Sequence, residues 1–154
     1  MSQSSLNSVP NVESLSAAQV YNSFLDDFIK QACVFGLHGN GWALSATEQG
    51  QHAIAIWQHP TLASAMSKGS WGQYLAQRLP IDVFVKEIIP YLRASNLLIS
   101  INLNDQGQHI QIAPDKFLLD LKKKLYPIYL DHPEKYKTLN LPEPRKIRLH
   151  DGSV

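Results

Sequence analysis

Residues 33–57, CVFGLHGNGWALSATEQGQHAIAIW, decide the fold, because short apolar runs there are broken by glycine-bearing turns and no helical period survives. The runs predict strands over 33–37, 41–46 and 51–57. Between the first two, Asn40-Gly41 supplies the positive φ values a hairpin turn requires, and Glu48-Gln49-Gly50 is a second glycine turn. The simplest construction is a three-stranded antiparallel meander with one face free to meet a helix.

That helix precedes it. Ser16 and Gln19 have the spacing of a capping box, and Val20, Phe24, Leu25, Phe28, Ile29 and Ala32 recur with a helical period, predicting a helix over 17–31. Residues 1–13, rich in Ser and Asn, read as a flexible lead-in. On the other side, Pro60 suits a first helical turn, and Leu62, Ala63, Ala65 and Met66 continue a short helix that Gly69 ends. A loop bearing Trp71 and Tyr74 follows. Leu79-Pro80 then leads into a helix with Val83, Phe84, Ile88, Tyr91 and Leu92 inward, which Pro90 should kink. Residues 97–103 and 109–113 flank Asp105-Gln106-Gly107 as a second hairpin, and Pro114-Asp115 opens a helix with Phe117, Leu118 and Leu121 inside.

Beyond Tyr126-Pro127, the prolines at 133, 142 and 144 argue against one long helix and predict an extended or partly disordered tail. The expected class is α+β: an antiparallel sheet of short hairpins packed against three to four helices in a single layer. The expected organisation is a flexible 1–13, one domain over 14–126, and a basic, proline-containing tail over 127–154.

Composition bounds the function. A chain of 154 residues with 44% hydrophobic and 18% charged residues is the size and kind that buries one core. Cys33 is the only cysteine, so no internal disulfide or thiolate zinc site can form, and a reducing compartment, the cytoplasm, is expected. No stretch reads as a secretory signal or membrane span, so no membrane partner is expected. The net charge of +1 conceals an asymmetry about Leu121, with six Lys/Arg and nine Asp/Glu up to it and eight and four after it. A basic tail can bind phosphate backbones, but these charges are dispersed.

Sites of defined chemistry are hard to find. The six histidines include no pair at the spacing of a zinc helix or zinc module, and neither metal nor cofactor is expected. Cys33 sits in apolar company, the setting of an inert thiol, and no G-x-S-x-G elbow exists. Asp26 and Asp27 are adjacent on a helix and point in different directions, so they cannot act as a carboxylate pair. The glycines of 36–41 precede no helix, so they make no phosphate cradle. Nucleic-acid binding on the sheet is disfavoured because no Lys or Arg accompanies Trp42 and Trp57 within 33–57. What remains is a tryptophan-bearing corner of Trp42, Trp57, His59 and Trp71, where loops on a rigid scaffold could hold a partner.

From about residue 20 to 125 the chain resembles a short bacterial family catalogued only as a domain of unknown function. The resemblance rests on Gly41-Trp42-Ala43-Leu44, Trp57-Gln58-His59-Pro60, Trp71-Gly72-Gln73-Tyr74 and Ile89-Pro90-Tyr91-Leu92 in that order. A more distant likeness is to the SseB-type domain, which is associated with secretion and protein–protein contacts and so implies an adaptor more than an enzyme. The expected function is a non-enzymatic protein-interaction or accessory regulatory module. The alternatives are a small enzyme or ligand binder using the Trp57, His59 and Trp71 corner, and nucleic-acid binding through the basic tail.

Overall fold

Helix α1 (Ala17–Gln31) starts where the sequence predicts: the Ser16 hydroxyl accepts the Gln19 N–H at 3.1 Å and the Gln19 side chain accepts the Ser16 N–H at 2.9 Å. The computed structural model describes residues 16–46, 50–147 and 149; the lead-in over 1–13 and Glu48-Gln49 lie outside the described residues. α1 stops at Ala32, whose backbone is left-handed with φ 59° and turns the chain directly into strand β1 (Cys33–Gly39).

The meander is replaced by a forked arrangement. β1 pairs with β4 (His52–Trp57) directly, at Phe35 opposite Trp57 and Gly36 opposite Ile56. Past that point the two strands splay, and the stretch read as one strand over 41–46 fills the gap as two, β2 (Gly41–Trp42) on β1 and β3 (Leu44–Ala46) on β4. Both pairings are antiparallel, so the chain reverses at Ala43. Its N–H donates to Leu37 and its C=O accepts from Ala55, which satisfies the backbone at the bend.

A strand that the sequence leaves as loop, β5 (Leu75–Pro80), runs antiparallel along β1 from His38 opposite Leu75 to Cys33 opposite Pro80. Its alternation is weak, and its terminal proline is tolerated because it falls at the end of an edge strand. The expected second hairpin is present as β6 (Leu98–Ile101) and β7 (Ile110–Ile112). β6, however, lies parallel to β4, with Ala53 opposite Leu98 and Ile56 opposite Ile101, so the sheet is mixed and not purely antiparallel. The α+β class holds.

Helices cover both faces of the sheet, not the single layer expected. Alternate residues of β4 point to opposite sides. Ile54 and Ile56 join Phe24 and Phe28 of α1, Phe84 of helix α3 (81–94) and Phe117 of α4 (Pro114–Asp131) in the main core. Ala55 and Trp57 face the other way, into a smaller cluster under α2 (Pro60–Ala65) with Leu37, Ala43 and Ala63. The kink expected at Pro90 takes a specific form: Phe84–Ile88 is wound as a π turn, and the Ile89 N–H reaches back five residues to the Phe84 carbonyl just before the proline ring must be accommodated.

The chain does not break at Tyr126-Pro127. α4 passes through Pro127 to Asp131, α5 (Glu134–Thr138) follows, and Leu141, Pro144 and Ile147 are buried. The Tyr136 hydroxyl donates to the Leu125 carbonyl at 2.7 Å, pinning the expected tail to the body. Among the described residues no helix is long and apolar enough to cross a membrane.

Candidate functional site

β4 and β6 are the parallel neighbours of the sheet, and both point their carboxyl ends the same way. In open α/β sheets the space beyond the carboxyl ends of parallel strands is the usual place for a ligand, and β4 and β6 are one such pair in this mixed sheet. Here it is an open groove of about 690 Å³. One wall is α2, presenting Leu62, Ala65 and Met66; the other is the 102–108 loop between β6 and β7; Trp57 lies between them, and Ala17 and Val20 of α1 close one side.

Trp57 belongs to the floor, not to an exposed corner. It is 1% exposed, its indole N–H donates to the Leu103 carbonyl at 2.8 Å, and its ring meets Trp71 edge-on with centroids 6.3 Å apart. Those contacts fix the end of β4 to the far loop. Asn102 makes the loop possible: it takes the left-handed conformation, φ 56°, that Asn tolerates, and its N–H donates to the Ile56 carbonyl. Asn104 then orders the loop from within, its side-chain carbonyl accepting the N–H groups of Gln106 and Gln108 at 3.0 Å each. An ion pair of 2.7 Å between Lys68 and Asp105 ties the loop to the segment after α2.

The expected corner residues are therefore divided. Trp57 lines the groove; Trp71 supports it from behind. Trp42 stands on the opposite side of the sheet, against the main core, with its ring edge-on to His38 at 4.7 Å and over Gly36. His59 occupies the capping position of α2, where its carbonyl accepts from Leu62 and Ala63, and its half-exposed ring is 4.0 Å from the Asp27 carboxylate.

Sequence reasoning missed the polar knot beside the groove. Gln58 donates through its side-chain amide to Asp27, its side-chain oxygen accepts from the Asn102 side-chain amide at 3.0 Å, and its backbone N–H donates to the Asn102 side-chain oxygen at 3.0 Å, while Gln31 donates to the Gln58 main-chain carbonyl. Each member has a partner, so the knot locks α1, β4 and β6 together and leaves little spare capacity for a ligand. Asn102 ends a β-type run like many other asparagines, and no spacing in the sequence singles it out.

A second juxtaposition that no spacing in the sequence signals is that of Ser100 Oγ, 2.6 Å from His109 Nδ1. It has the look of a nucleophile with its base, but Ser100 is 0% exposed, so no substrate atom can reach the hydroxyl. The contact instead fixes the ring of His109, which lines the groove. Cys33 is likewise buried and free. Among the described residues no three His, Cys, Asp or Glu side chains gather as metal ligands would.

No curated protein and no solved structure matches the chain. A family model, described as a protein of unknown function (DUF2750), matches residues 21–121, a span that runs from α1 into α4 and includes Trp57, α2 and the 102–108 loop. The chain thus belongs to the DUF2750 family of proteins of unknown function.

Proposed function

We propose that the protein is a non-enzymatic interaction module of the bacterial cytoplasm, and that it takes an extended peptide segment of a protein partner in the groove beyond β4 and β6. The observation that supports this reading is the pairing of an apolar wall with a wall of amides. Leu62 is 42% exposed on α2, next to Ala65 and Met66, and faces a loop rich in Asn and Gln. Apolar side chains of a peptide fit the first wall, and its backbone groups fit the second, since side-chain amides both donate and accept. β7, which starts at the groove, is the last strand on its side of the sheet, so its outer backbone groups have no strand partner among the described residues. The cytoplasmic placement rests on the single cysteine, Cys33, which has no second cysteine in the chain to pair with.

A groove of this volume also falls in the range of roughly 300–1,000 Å³ used by small ligands, which favours the ligand-binder alternative. His59 and Trp71, which that alternative invoked, are not part of the lining. Panning a random peptide library on the purified chain distinguishes the two. Selected peptides should bind wild type and the Trp42→Phe variant alike, and should lose at least tenfold in affinity to Leu62→Asp/Ala65→Asp, both exposed positions. Failure to select any peptide, or equal binding to the double variant, would count against the proposal.

A further inference from the structure

A second cavity, of about 580 Å³, lies between α1, α4 and α5 and shares no residue with the groove. Its floor is apolar, made by buried Ile29 and Leu141 with partly buried Ile128 and Leu139. Its rim carries Lys30, Lys123, Lys124 and Lys135 against one carboxylate, Asp26. That carboxylate is taken by Lys124, at 2.9 Å. The ammonium groups of Lys30, Lys123 and Lys135 have no ion-pair or hydrogen-bond partner among the described residues.

In a chain whose net charge is +1, three uncompensated cations around one apolar hollow are a marked local excess. Cations at the mouth of a low-dielectric cavity repel one another and focus a positive potential into it, and a bound anion relieves that repulsion. Lysines, with compact charges on flexible stems, can converge on an anionic head from several directions without the fixed geometry an arginine fork imposes. An inorganic anion would leave the floor of Ile128, Leu139 and Leu141 uncovered; an apolar body would bury it.

We propose that this cavity binds a small organic anion with an apolar body, a carboxylate or phosphate monoester carrying a hydrocarbon chain. The head sits among Lys30, Lys123 and Lys135, and the chain lies along Ile128, Leu139 and Leu141. Such an anion can come from a free metabolite or from a lipid head group with its chain. The volume suits one such ligand per protein chain.

Isothermal titration of the full chain with sodium dodecanoate, at low salt and below the onset of micelles, tests this. One dodecanoate per chain is expected, with affinity reduced tenfold or more in Lys30→Gln/Lys123→Gln/Lys135→Gln, whose three positions are exposed and whose fold is checked by circular dichroism. Neutral dodecanol should bind wild type at least tenfold more weakly than dodecanoate, and inorganic phosphate alone should not bind measurably. Co-sedimentation with phosphatidylglycerol vesicles separates the sources: retention that the triple variant loses assigns the anion to a lipid, and dodecanoate binding without retention assigns it to a free ligand. Absence of dodecanoate binding, equal affinity in the triple variant, or displacement of dodecanoate by a short duplex DNA would overturn the proposal.

Discussion

Replacing Trp57 with phenylalanine tests whether this side chain fastens the end of β4 to the opposite wall of the groove. The change removes the indole N–H that donates to the Leu103 carbonyl at 2.8 Å and shortens the ring that meets Trp71 at a centroid distance of 6.3 Å. Leu103 borders the open groove, so water can reach its carbonyl, and the hydrogen bond should cost its ordinary net value of about 1 kcal/mol. The edge-on aromatic contact adds about 1 kcal/mol. At roughly 2–4 °C per kcal/mol for a chain of this length, the melting temperature should fall by roughly 4–8 °C. Circular dichroism melts read that shift, with urea unfolding as a second measure. Trp42→Phe is the control, because Trp42 lacks a hydrogen bond to the loop and is partly exposed; it should fall less than half as far. A shift under roughly 2 °C for Trp57→Phe, or one no larger than the control, would refute the fastening role.

Gly36→Ala should destabilise by about 1 kcal/mol in urea titrations, because a Cβ there would stand 3.1 Å from the ring of the partly buried Trp42, which must give way; an unchanged midpoint would mean that Trp42 shifts freely. Burial first, and then the 2.7 Å hydrogen bond and charge of Asp120, push the Tyr21 phenol far above its usual value. A group that holds its proton longer when folded contributes fully below its unfolded pKa, near 10, and loses that contribution as pH rises past it. Tyr21→Phe should therefore flatten the decline of stability between about pH 9 and about pH 11; parallel declines in the two proteins would contradict the assignment. Tyr136, pushed up to about 12 chiefly by burial, should ionise late in an ultraviolet titration. Ending the chain after Tyr126 removes the buried Leu141, Pro144 and Ile147, and should lower stability by about 5 kcal/mol at roughly 1.5–3 kcal/mol for each buried aliphatic side chain; a truncated chain with the full-length urea midpoint would show that this segment does not belong to the core.

Local rules carried the elements further than the topology. The capping box at Ser16, the stripe of Phe24 and Phe28, the Pro60 and Pro114 helix starts and the strands read over 51–57 and 97–103 are all decided by nearby residues and are legible, although the second ends at Ile101. The reversal at Ala43 was not, because it is produced by backbone bonds to Leu37 and Ala55, one of them in a strand more than ten residues on. The parallel pairing of β4 with β6 and the capture of β5 by β1 are equally non-local. The start of α4 at Pro114 is legible but its length and the order after it are not: Leu125 and Leu141 share the core, with Ile128 and Tyr136 packed against it, and the helix runs on through Pro127. At the site, Trp57 is legible from its position at a strand end, whereas the roles of Gln58, Asn102 and the 102–108 loop depend on β6 lying beside β4.

The most direct test is to map a selected peptide by backbone amide NMR on the full-length, isotope-labelled chain. The account predicts that the perturbed amides cluster at Leu62, Met66 and residues 102–110, with Trp57 Nε1–H shifted and with β2 and the Trp42 indole unchanged. Perturbations centred on β5, on the Trp42 face or on the lysine-lined cavity, with the groove silent, would contradict it.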